Sequence, residues 1–576
     1  MILQALVRLY EDLADAGKIA RPGWSKTGVT FALCIDGNGK LTQLIPLLDE
    51  VPSGKKTVLR PRKMHLPAPV KRSSGVAANF LWDNAGYLLG IDDKGKPERT
   101  RQCFETSAKL HKQVLENVHT PVARAIMGFY SSWDTKGAAE HSAIKDKLDK
   151  LYGGANLVFR VNGQFAYEDP DIAAAWQSHY DAKEGPMMQC LVTGHNDVIE
   201  AVHPAIKGLR GGQPSGGALV SFNANAYHSF GRDQNYNAPV GKYAAFAYTA
   251  ALNYLLADRD NVSSLGDTSV LFWAEGGQPA YQGMMGGAAF GKDTGYSEDD
   301  LRNMTKTLLK GRPVDFNGVM LDPNKTFYIL GLSPNSARIS VRFFLRNTFG
   351  SVLKNVHDHH ERMEIIRPSY EQFDTIPLWA MLSETVNKNS RDKNPSPVMA
   401  GATARAIFAG TPYPAALIEQ TMLRIRAEQN ITRGRAAIIK AYYLKNKTPE
   451  CPEEVLTLSL NEESKNPAYT LGRLFSVYEA LQENANPGIN STIKDKYFNS
   501  AAASPGNIFP ILDKLSKAHL RKLEPRARIY FEKQIGELKS IFDEEYPVRL
   551  SLPQQGSFDL GYYHQRQKRF TKKEEA

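Results

Sequence analysis

Apolar and polar residues recur with helical spacing at the start of the chain. In "MILQALVRLYEDLADAG", acidic residues separate the apolar positions Ile2, Leu3, Leu6, Leu9, Tyr10 and Leu13. This period lines up one apolar stripe on an amphipathic helix. The acidic residues between the apolar ones are not typical of a signal peptide, so we expect a cytoplasmic protein.

Shorter apolar runs predict strands joined by tight turns. Residues 36–39 (Asp-Gly-Asn-Gly) and Asn162-Gly163 are hairpin signals. "TSVLFWAEG" predicts a strand, and "KTFYILGLSPNSARISVRFFLR" predicts two strands around a Ser-Pro-Asn-Ser turn. Alternation in the last strand predicts two different faces. The apolar face holds Ile339, Val341 and Phe343, and the polar face holds Arg338, Ser340 and Arg342. "GKYAAFAYTAALNYLL" predicts a buried helix, since apolar residues occupy nearly all its sides.

Helical periodicity dominates after about Thr348. The polar break "NKTPECPEE" holds Pro449 and Pro452, so we expect few packing contacts to cross it. The predicted fold class is α+β. A mixed N-terminal and central domain with β-hairpins and helices spans 1–347, a helical region spans 348–450, and an all-α C-terminal helical bundle spans 455–576.

Length, charge and cysteine content narrow the classes of protein. The 576 residues exceed what one hydrophobic core supports, and no apolar run approaches the eighteen residues of a membrane span. No two of the four cysteines form a CxxC pair, so neither a zinc knuckle nor a disulfide framework is indicated, and we predict isolated buried thiols. The net charge of +10 indicates a polyanionic partner.

A stretch rich in glycine, amides and aromatic rings occupies residues 211–241. "GGQPSGGALVSFNANAYHSFGRDQNYNAPVG" has Asp233 as its single acid and lacks the spacing of a phosphate-binding loop. Asn and Gln amides carry a donor and an acceptor, as reading adenine requires, and the rings of Tyr227, Phe230 and Tyr236 can stack on bases or wedge between them. The residues predicted to contact DNA here are Gln213, Ser215, Asn223, Asn225, Tyr227, His228, Arg232, Gln234 and Asn235.

The positive charge is densest in "SGKKTVLRPRKMHLPAPVKRSSG", where no acid follows until Asp83. Pro61, Pro67 and Pro69 forbid a long helix, so the segment is predicted to be a basic, extended loop that follows a phosphate backbone. Its predicted DNA contacts are Lys55, Lys56, Arg60, Arg62, Lys63, Lys71, Arg72 and Ser73. Arg338 and Arg342, on the polar strand face, join them.

The string "VHDHHERME" is the one that most resembles an enzyme site. A metal-dependent nuclease or phosphoesterase built on His357, His359 and His360 is therefore an alternative. On a helix, however, His357 and His360 share a face with Glu361, while His359 points elsewhere. "GHNDVIEAVHP" supplies no nucleophile or paired carboxylates and predicts a helix capped by Asn196 or Asp197. We expect no catalytic residue, metal or cofactor.

Several motifs together resemble one family over essentially the full length. They are "MILQALVRLYEDL", "PVKRSSGVAANFLWDNAGYLLG", "SGGALVSFNANAYHSFGRDQNYNAPVG", "FYILGLSPNSARISVRFF", "AYTLGRLFSVYEALQ" and "LGYYHQRQ". The chain resembles the large subunit of the type I-C CRISPR–Cas interference complex, the RNA-guided assembly called Cascade. The resemblance implies a non-enzymatic subunit that checks the protospacer-adjacent motif (PAM), helps open the duplex, holds the displaced strand and docks the helicase–nuclease.

The resemblance also implies partners. These are a guide-RNA-containing complex with backbone, crRNA-end and small subunits, double-stranded target DNA, displaced single-stranded DNA and the helicase–nuclease; no membrane is involved. The C-terminal bundle resembles the small subunit, which is implied to arise by internal translation. Its predicted displaced-strand contacts are Lys514, Lys517, Arg521, Lys522, Arg526 and Arg528. A purely architectural subunit without base readout is a second alternative.

Overall fold

The computed structural model describes residues 2–53, 56–70, 75–182, 185–371, 373–542 and 545–570. Its fold is α+β, as predicted. The chain forms two compact units: unit 1 comprises residues 3–203 with 222–251, and unit 2 comprises residues 204–221 with 252–576. The division into 1–347, 348–450 and 455–576 stays a prediction.

Unit 1 is built from small sheets and the helices that cover them. Its strands are β1 (Trp24–Val29), β2 (Phe31–Ile35), β3 (Leu41–Pro46), β4 (Leu48–Ser53), β5 (Lys56–Pro67), β6 (Trp82–Asn84), β7 (Asn156–Val161), β8 (Gln164–Phe165), β9 (Met187–Gln189) and β10 (Asn196–Val198). Its helices are α1 (Ile2–Asp15), α2 (Ala85–Leu88), α3 (Pro97–Leu115), α4 (Pro121–Ser132), α5 (Leu148–Tyr152), α6 (Pro170–Asp181) and the first part of α7 (Lys242–Ala257).

A five-stranded sheet carries the core of unit 1. Its order is β3-β2-β7-β6, with β8 paired to β7, and β2 runs parallel to β7. Both predicted hairpins, β2–β3 and β7–β8, are confirmed. Every residue of β2 is buried, because its "FALCI" run lies in the middle of the sheet with apolar layers on both faces.

The basic segment is a strand rather than the predicted loop. The first half of β5 pairs with β4 and its second half pairs with β1. The prolines that exclude a helix are compatible with this strand, because Pro61 lies where β5 changes partner and Pro67 is its last residue. Lys55, Lys71, Arg72 and Ser73 lie outside the described residues, as does the side chain of Lys56.

The prediction of a helix in "GHNDVIEAVHP" is wrong. Residues 196–198 form β10, which pairs with β9, and Ile199 bridges to Gly241. The β-branched pair Val198-Ile199 and a ready pairing strand outweigh the capping signal of Asn196 and Asp197. His203 is buried, and its Nδ1 lies 2.7 Å from the Tyr248 hydroxyl.

Unit 2 combines one four-stranded sheet with a large helical array. Its strands are β11 (Val262–Leu265), β12 (Thr268–Ala274), β13 (Val314–Phe316), β14 (Val319–Leu321), β15 (Thr326–Asn335) and β16 (Arg338–Thr348). Its helices are α8 (Pro279–Phe290), α9 (Glu298–Leu309), α10 (Phe349–Met363), α11 (Leu378–Ser383), α12 (Pro397–Ala409), α13 (Ala415–Glu428), α14 (Arg433–Lys445), α15 (Pro467–Ala485), α16 (Ile493–Ala503), α17 (Pro505–Leu520), α18 (Pro525–Lys539) and α19 (Leu552–Lys568).

The predicted β15–β16 hairpin is confirmed, but its alternation is interrupted. The sheet order is β11-β12-β15-β16. A bulge changes the register, so that Leu332 pairs with Val341 while Gly331 pairs with Phe343. Ile339 and Phe343 are buried as predicted, whereas Val341 is exposed, because the extra residue at the bulge re-aims the side chains beside it.

Helices α15 and α19 touch backbone to backbone. A Cβ atom on Gly472 would lie 1.9 Å from the Phe558 carbonyl oxygen, and one on Gly561 would lie 2.0 Å from the Tyr469 carbonyl oxygen. Polar bonds cross the same contact: the Tyr562 hydroxyl donates to the Glu479 carboxylate over 2.6 Å. Residues 555–565 are buried on every side of α19.

The core continues across the predicted break before residue 455. A Cβ atom on Gly556 of α19 would lie 2.9 Å from the Tyr443 ring of α14, so these two helices pack closely. Cys451 and Val455, within and beside "NKTPECPEE", are buried in the same cluster. The expectation that few contacts cross this break is therefore wrong, because a polar sequence here covers an apolar interior.

Two further sequence expectations concern thiols and membranes. Cys34, Cys103, Cys190 and Cys451 are all free and buried, which confirms the prediction of isolated thiols. Within the described ranges, no helix combines the length and apolar character that crossing a bilayer requires.

The α15–α19 contact leads to a stability prediction. Gly561→Ala places a methyl group against a backbone carbonyl that cannot rotate away, so we expect a loss of about 1–3 kcal/mol or more in the free energy of unfolding. The matched control is Gly536→Ala on α18, where no atom lies within 4 Å of the added methyl group. That change should raise stability by up to about 1 kcal/mol, because alanine favours the helix. Equal denaturant midpoints for the two variants would contradict the contact.

Candidate nucleic-acid interface

The tip of the amide-rich stretch is a tight turn that displays Phe230. The Ser229 carbonyl accepts from the Arg232 amide over 3.0 Å, and both central residues have positive φ, 53° at Phe230 and 66° at Gly231. Two positive φ values are typical of a type I′ turn, in which phenylalanine is strained and glycine is not. The Phe230 side chain is 99% exposed. The backbone therefore presents a large apolar ring to solvent.

Hydrogen bonds from within the stretch hold this Phe230 turn (residues 229–232) in place. The Asn237 side chain accepts from the Ser229 amide over 2.8 Å and donates to the carbonyls of Arg232 and Gln234 over 2.7 and 2.9 Å. His228 Nδ1 lies 3.2 Å from the Asp233 carboxylate. The stretch's single acid is thus engaged beside the turn and faces an imidazole.

The predicted amide readers fall into two groups. Asn223, Asn225 and Gln234 are exposed on unit 1, next to the Phe230 turn in sequence. Asn235 is only 2% exposed, so its amide does not reach the surface in this conformation. Its burial follows from its place after the turn, where its backbone N–H donates to the Ala201 carbonyl.

The remaining members of the predicted set differ in setting. Tyr227 is 45% exposed, and Arg232 is exposed on the Phe230 turn itself. Gln213 and Ser215 belong to unit 2, where they are exposed in a turn closed by the Gly216 amide and the Gln213 carbonyl over 2.9 Å.

Strand β5 presents cations on both of its faces. Arg60, Arg62 and Lys63 are exposed, and so is Pro61 between them, so neither face of the strand is covered there. The sheet brings an acid that the linear sequence did not reveal: Arg62 Nε lies 2.9 Å from the Asp49 carboxylate of β4. Arg62 is therefore partly neutralised, whereas no ion pair is described for Arg60 or Lys63.

The two arginines of β16 occupy a more structural setting. Arg342 lies 3.6 Å from the Asp267 carboxylate and donates to the Ser333 hydroxyl over 3.2 Å. Arg338 is partly buried at the start of the strand, where its backbone forms a parallel bridge with Ala218. The Arg342 guanidinium therefore braces the hairpin through Ser333 and Asp267.

The predicted displaced-strand residues lie along α17, the turn after it and α18. All six are exposed: Lys514, Lys517, Arg521, Lys522, Arg526 and Arg528. Two of them are tied to neighbours, because Lys522 donates to the Asn486 side chain over 2.8 Å and Arg528 pairs with Glu532 over 2.8 Å. Tyr530, which the sequence reasoning missed, is exposed one helical turn from Arg526.

The histidines of α10 have separate partners. His357 lies 3.2 Å from Glu361, His359 is buried with its Nδ1 2.7 Å from the Tyr413 hydroxyl, and His360 Nε2 donates to the Ala288 carbonyl over 2.8 Å. Burial lowers the pKa of His359 well below its usual value and that of His360 to about 4, so both are neutral at pH 7. No group of three or more potential ligands converges anywhere in the described ranges.

Sequence reasoning identified the amide-rich surface but not its shape. The dipeptide Phe230-Gly231 was the available signal for a turn, since glycine there suits positive φ, yet phenylalanine at the preceding position gave no such indication. Sequence reasoning missed that two acids, Asp49 and Glu50, lie beside the basic strand β5. They precede it in the sequence, on β4, and come next to it only because β4 pairs with β5.

Comparison with known proteins assigns the family. The family model described as CRISPR-associated protein (Cas_Csd1) matches residues 6–570. A search of curated proteins finds no match. The family match covers both units, including the Phe230 turn, strand β5 and the α15–α19 contact. The chain therefore belongs to the Cas_Csd1 family of CRISPR-associated proteins, the large subunits of type I-C Cascade.

Proposed function

We propose that this chain is the DNA-recognition subunit of its complex, acting in the cytoplasm. It checks the short motif beside the guide-paired target, helps open the duplex, holds the displaced strand and docks the helicase–nuclease. The observation that carries the proposal is the Phe230 turn, a strained and braced turn that exposes an aromatic ring among neutral amides.

An exposed ring on a fixed turn suits the opening of a duplex. Apolar wedges inserted between base steps unstack them at a few kcal/mol per step, which contacts elsewhere offset. Phe230 has the exposure and the rigid backbone that insertion requires. Asn223, Asn225 and Gln234 supply amides that can read base edges, and they repel no phosphate.

Strand β5 supports the proposal through its charge. A two-stranded β-ribbon fits the major groove, and exposed cations along a strand neutralise successive phosphates. Arg60 and Lys63 are exposed on opposite faces and have no described acidic partner, so they are the strongest phosphate contacts in the described part of β5.

The C-terminal helices support the displaced-strand role. Their six exposed cations form a basic surface, and the exposed Tyr530 offers a ring on which an unpaired base can stack. We also propose that these helices exist as a separate small-subunit polypeptide. In such a separate polypeptide, α19 has no α14, whose Tyr443 ring covers Gly556 in the full chain. Another surface then has to cover Gly556.

The two alternatives lack comparable support. A metal-dependent nuclease requires converging ligands, and the α10 histidines are instead held singly by Glu361, Tyr413 and Ala288. A purely architectural subunit does not require a strained, exposed phenylalanine next to neutral amides. DNA binding that is the same for every motif sequence would favour this architectural alternative.

The first test concerns duplex opening. Phe230→Ala keeps a non-glycine residue in the strained turn but removes the ring, so opening beside the motif should fall by about fivefold to a hundredfold, the range of base–aromatic stacking. The measurement is 2-aminopurine fluorescence at the first target base pairs in the assembled complex. Phe570→Ala, which removes an exposed ring elsewhere, is the control. Unchanged opening with Phe230→Ala rules out the wedge.

The second test concerns sequence readout. Asn225→Ala should lower discrimination between the preferred motif and scrambled motifs by about 1–3 kcal/mol, the usual value of a bidentate base contact. The preferred motif is selected from a random library by the unmodified complex. Asn389→Ala removes an exposed amide from unit 2 and should leave discrimination intact. If Asn225→Ala weakens binding to all motifs equally, the residue is not a reader.

The third test separates phosphate contacts from base contacts. Arg60→Ala with Lys63→Ala should weaken binding to all sequences alike and reduce the slope of log affinity against log salt by roughly one per lost contact. Lys94→Ala with Lys96→Ala removes the same charge from an exposed segment of unit 1 and should leave the slope unchanged. Equal slopes for the two double variants would show that β5 does not contact DNA.

A further inference from the structure

A cleft of about 1060 Å³ opens within unit 2, and none of the predicted DNA contacts lines it. Its walls come from α8, α9, α10, α11, the start of α14 and the residues that precede α11. Three aromatic side chains on these walls are strongly exposed: Tyr370, Phe373 and Trp379. Exposed rings grouped around a concavity are typical of a binding site rather than of ordinary surface.

The charge of the cleft is opposite to that of the chain. Seven carboxylate side chains line it against four lysine and arginine side chains. Two of these cations are used internally. Lys292 donates to the carbonyls of Arg259 and Val262, and Arg433 bonds Glu371 over 2.9 Å and the Phe373 carbonyl over 2.7 Å. Three of the carboxylates are also paired, Glu371 with Arg433, Asp374 with Arg367 and Glu384 with Arg435. The acids that remain still outnumber the cations that remain, so phosphate is disfavoured here although the chain as a whole carries +10.

Two buried polar atoms in the cleft wall have no partner within the described residues. His360 donates through Nε2, which leaves its buried Nδ1 as an unused acceptor. Arg433 is 7% exposed, and its Nε–H, a donor, is also unused. Buried polar groups are normally hydrogen-bonded, so an unused acceptor and an unused donor indicate a ligand that offers both. A peptide group does so, with its N–H and its C=O.

We infer that this cleft binds an extended peptide segment of a partner protein, one that carries arginine or lysine beside an apolar side chain. The cationic head is placed near the exposed carboxylates of Glu361 and Glu364 and over the Trp379 ring, while the apolar side chain packs on the other rings. The peptide backbone brings a donor and an acceptor to this wall, where His360 Nδ1 and Arg433 Nε lie beneath the surface without a described partner. This inference does not depend on the DNA roles proposed above, because no residue is shared.

Nucleic acid is the competing occupant, and the charge count disfavours it. Arg302 and Lys306 are the two lining cations not tied to a described partner. Four lining carboxylates have no described ion pair with lysine or arginine: Asp293, Glu298, Glu361 and Glu364. Stacking of bases on the rings would still require the phosphates to approach those carboxylates. The experiment therefore includes a nucleic-acid probe.

The test uses the purified full-length chain and three fluorescein-labelled probes in anisotropy titrations. The probes are an eight-residue Arg–Leu alternating peptide, its Glu–Leu counterpart and a twelve-nucleotide single-stranded DNA. The Arg–Leu peptide should bind, and its affinity should fall with salt. Trp379→Ala and the pair Glu361→Gln with Glu364→Gln should each weaken it about tenfold, and Glu361→Lys with Glu364→Lys should shift the preference to the Glu–Leu peptide.

Matched controls remove the same groups elsewhere in unit 2. Phe570→Ala removes a ring with similar exposure, 60% against 57% for Trp379, and Glu419→Gln with Glu463→Gln removes two exposed carboxylates. Both should leave peptide binding unchanged. DNA binding by the assembled complex should be the same for the cleft variants and the unmodified chain, which keeps this result separate from the proposed function.

Three outcomes would overturn the inference. The first is that the Arg–Leu peptide does not bind the unmodified chain at about 1 mM, a concentration that detects weak contacts. The second is that it binds all variants equally, which places it elsewhere on the surface. The third is that the DNA probe loses affinity with Trp379→Ala, which identifies the cleft as a nucleic-acid site.

Discussion

The backbone contact between α15 and α19 is the constraint on which unit 2 depends. Helix axes normally stand 8–10 Å apart because side chains separate them, and glycine is required wherever backbones meet. Gly472 and Gly561 remove the separating atoms on both helices at once. α14 packs against α19 at Gly556. α19 therefore connects two parts of one core: the part that includes strands β12 and β15, and the helices after residue 466.

This arrangement explains polar residues that sequence patterns assign to a surface. Glu479, Tyr562, Tyr469 and His564 are buried between the two helices and are paired across them, by the Tyr562–Glu479 bond and by a 2.9 Å contact between the Tyr469 hydroxyl and His564 Nδ1. Asp559 is buried nearby without a described hydrogen-bond partner, and burial raises its pKa well above the usual value. A protonated acid is the form that such a setting tolerates.

Local pattern predicted the elements that carry their own signals. The hairpins at residues 36–39 and 162–163 and the α7 helix are present because turn residues and apolar periodicity act over a few residues. Features that arise from pairing were not predictable. The basic segment became a strand because β1 and β4 offered edges, Val341 turned outward at a bulge, and residues 196–198 joined β9 instead of starting a helix. Phe230 in a turn likewise depends on Asn237, seven positions later.

The sequence distance between α15 and α19 bears on the order of folding. During synthesis, α15 emerges well before its partner, since residues 486–551 separate the two helices. Until α19 arrives, the surface of α15 around Gly472 and its apolar neighbours stay open to water. The loop between the two helices has to close before their contact stabilises either one. Unit 1 draws its residues from the chain before position 252 and has its own core. The unit bearing the Phe230 turn can therefore be complete first, while the apolar surface of unit 2 waits for α19, and surface left open in this way favours aggregation.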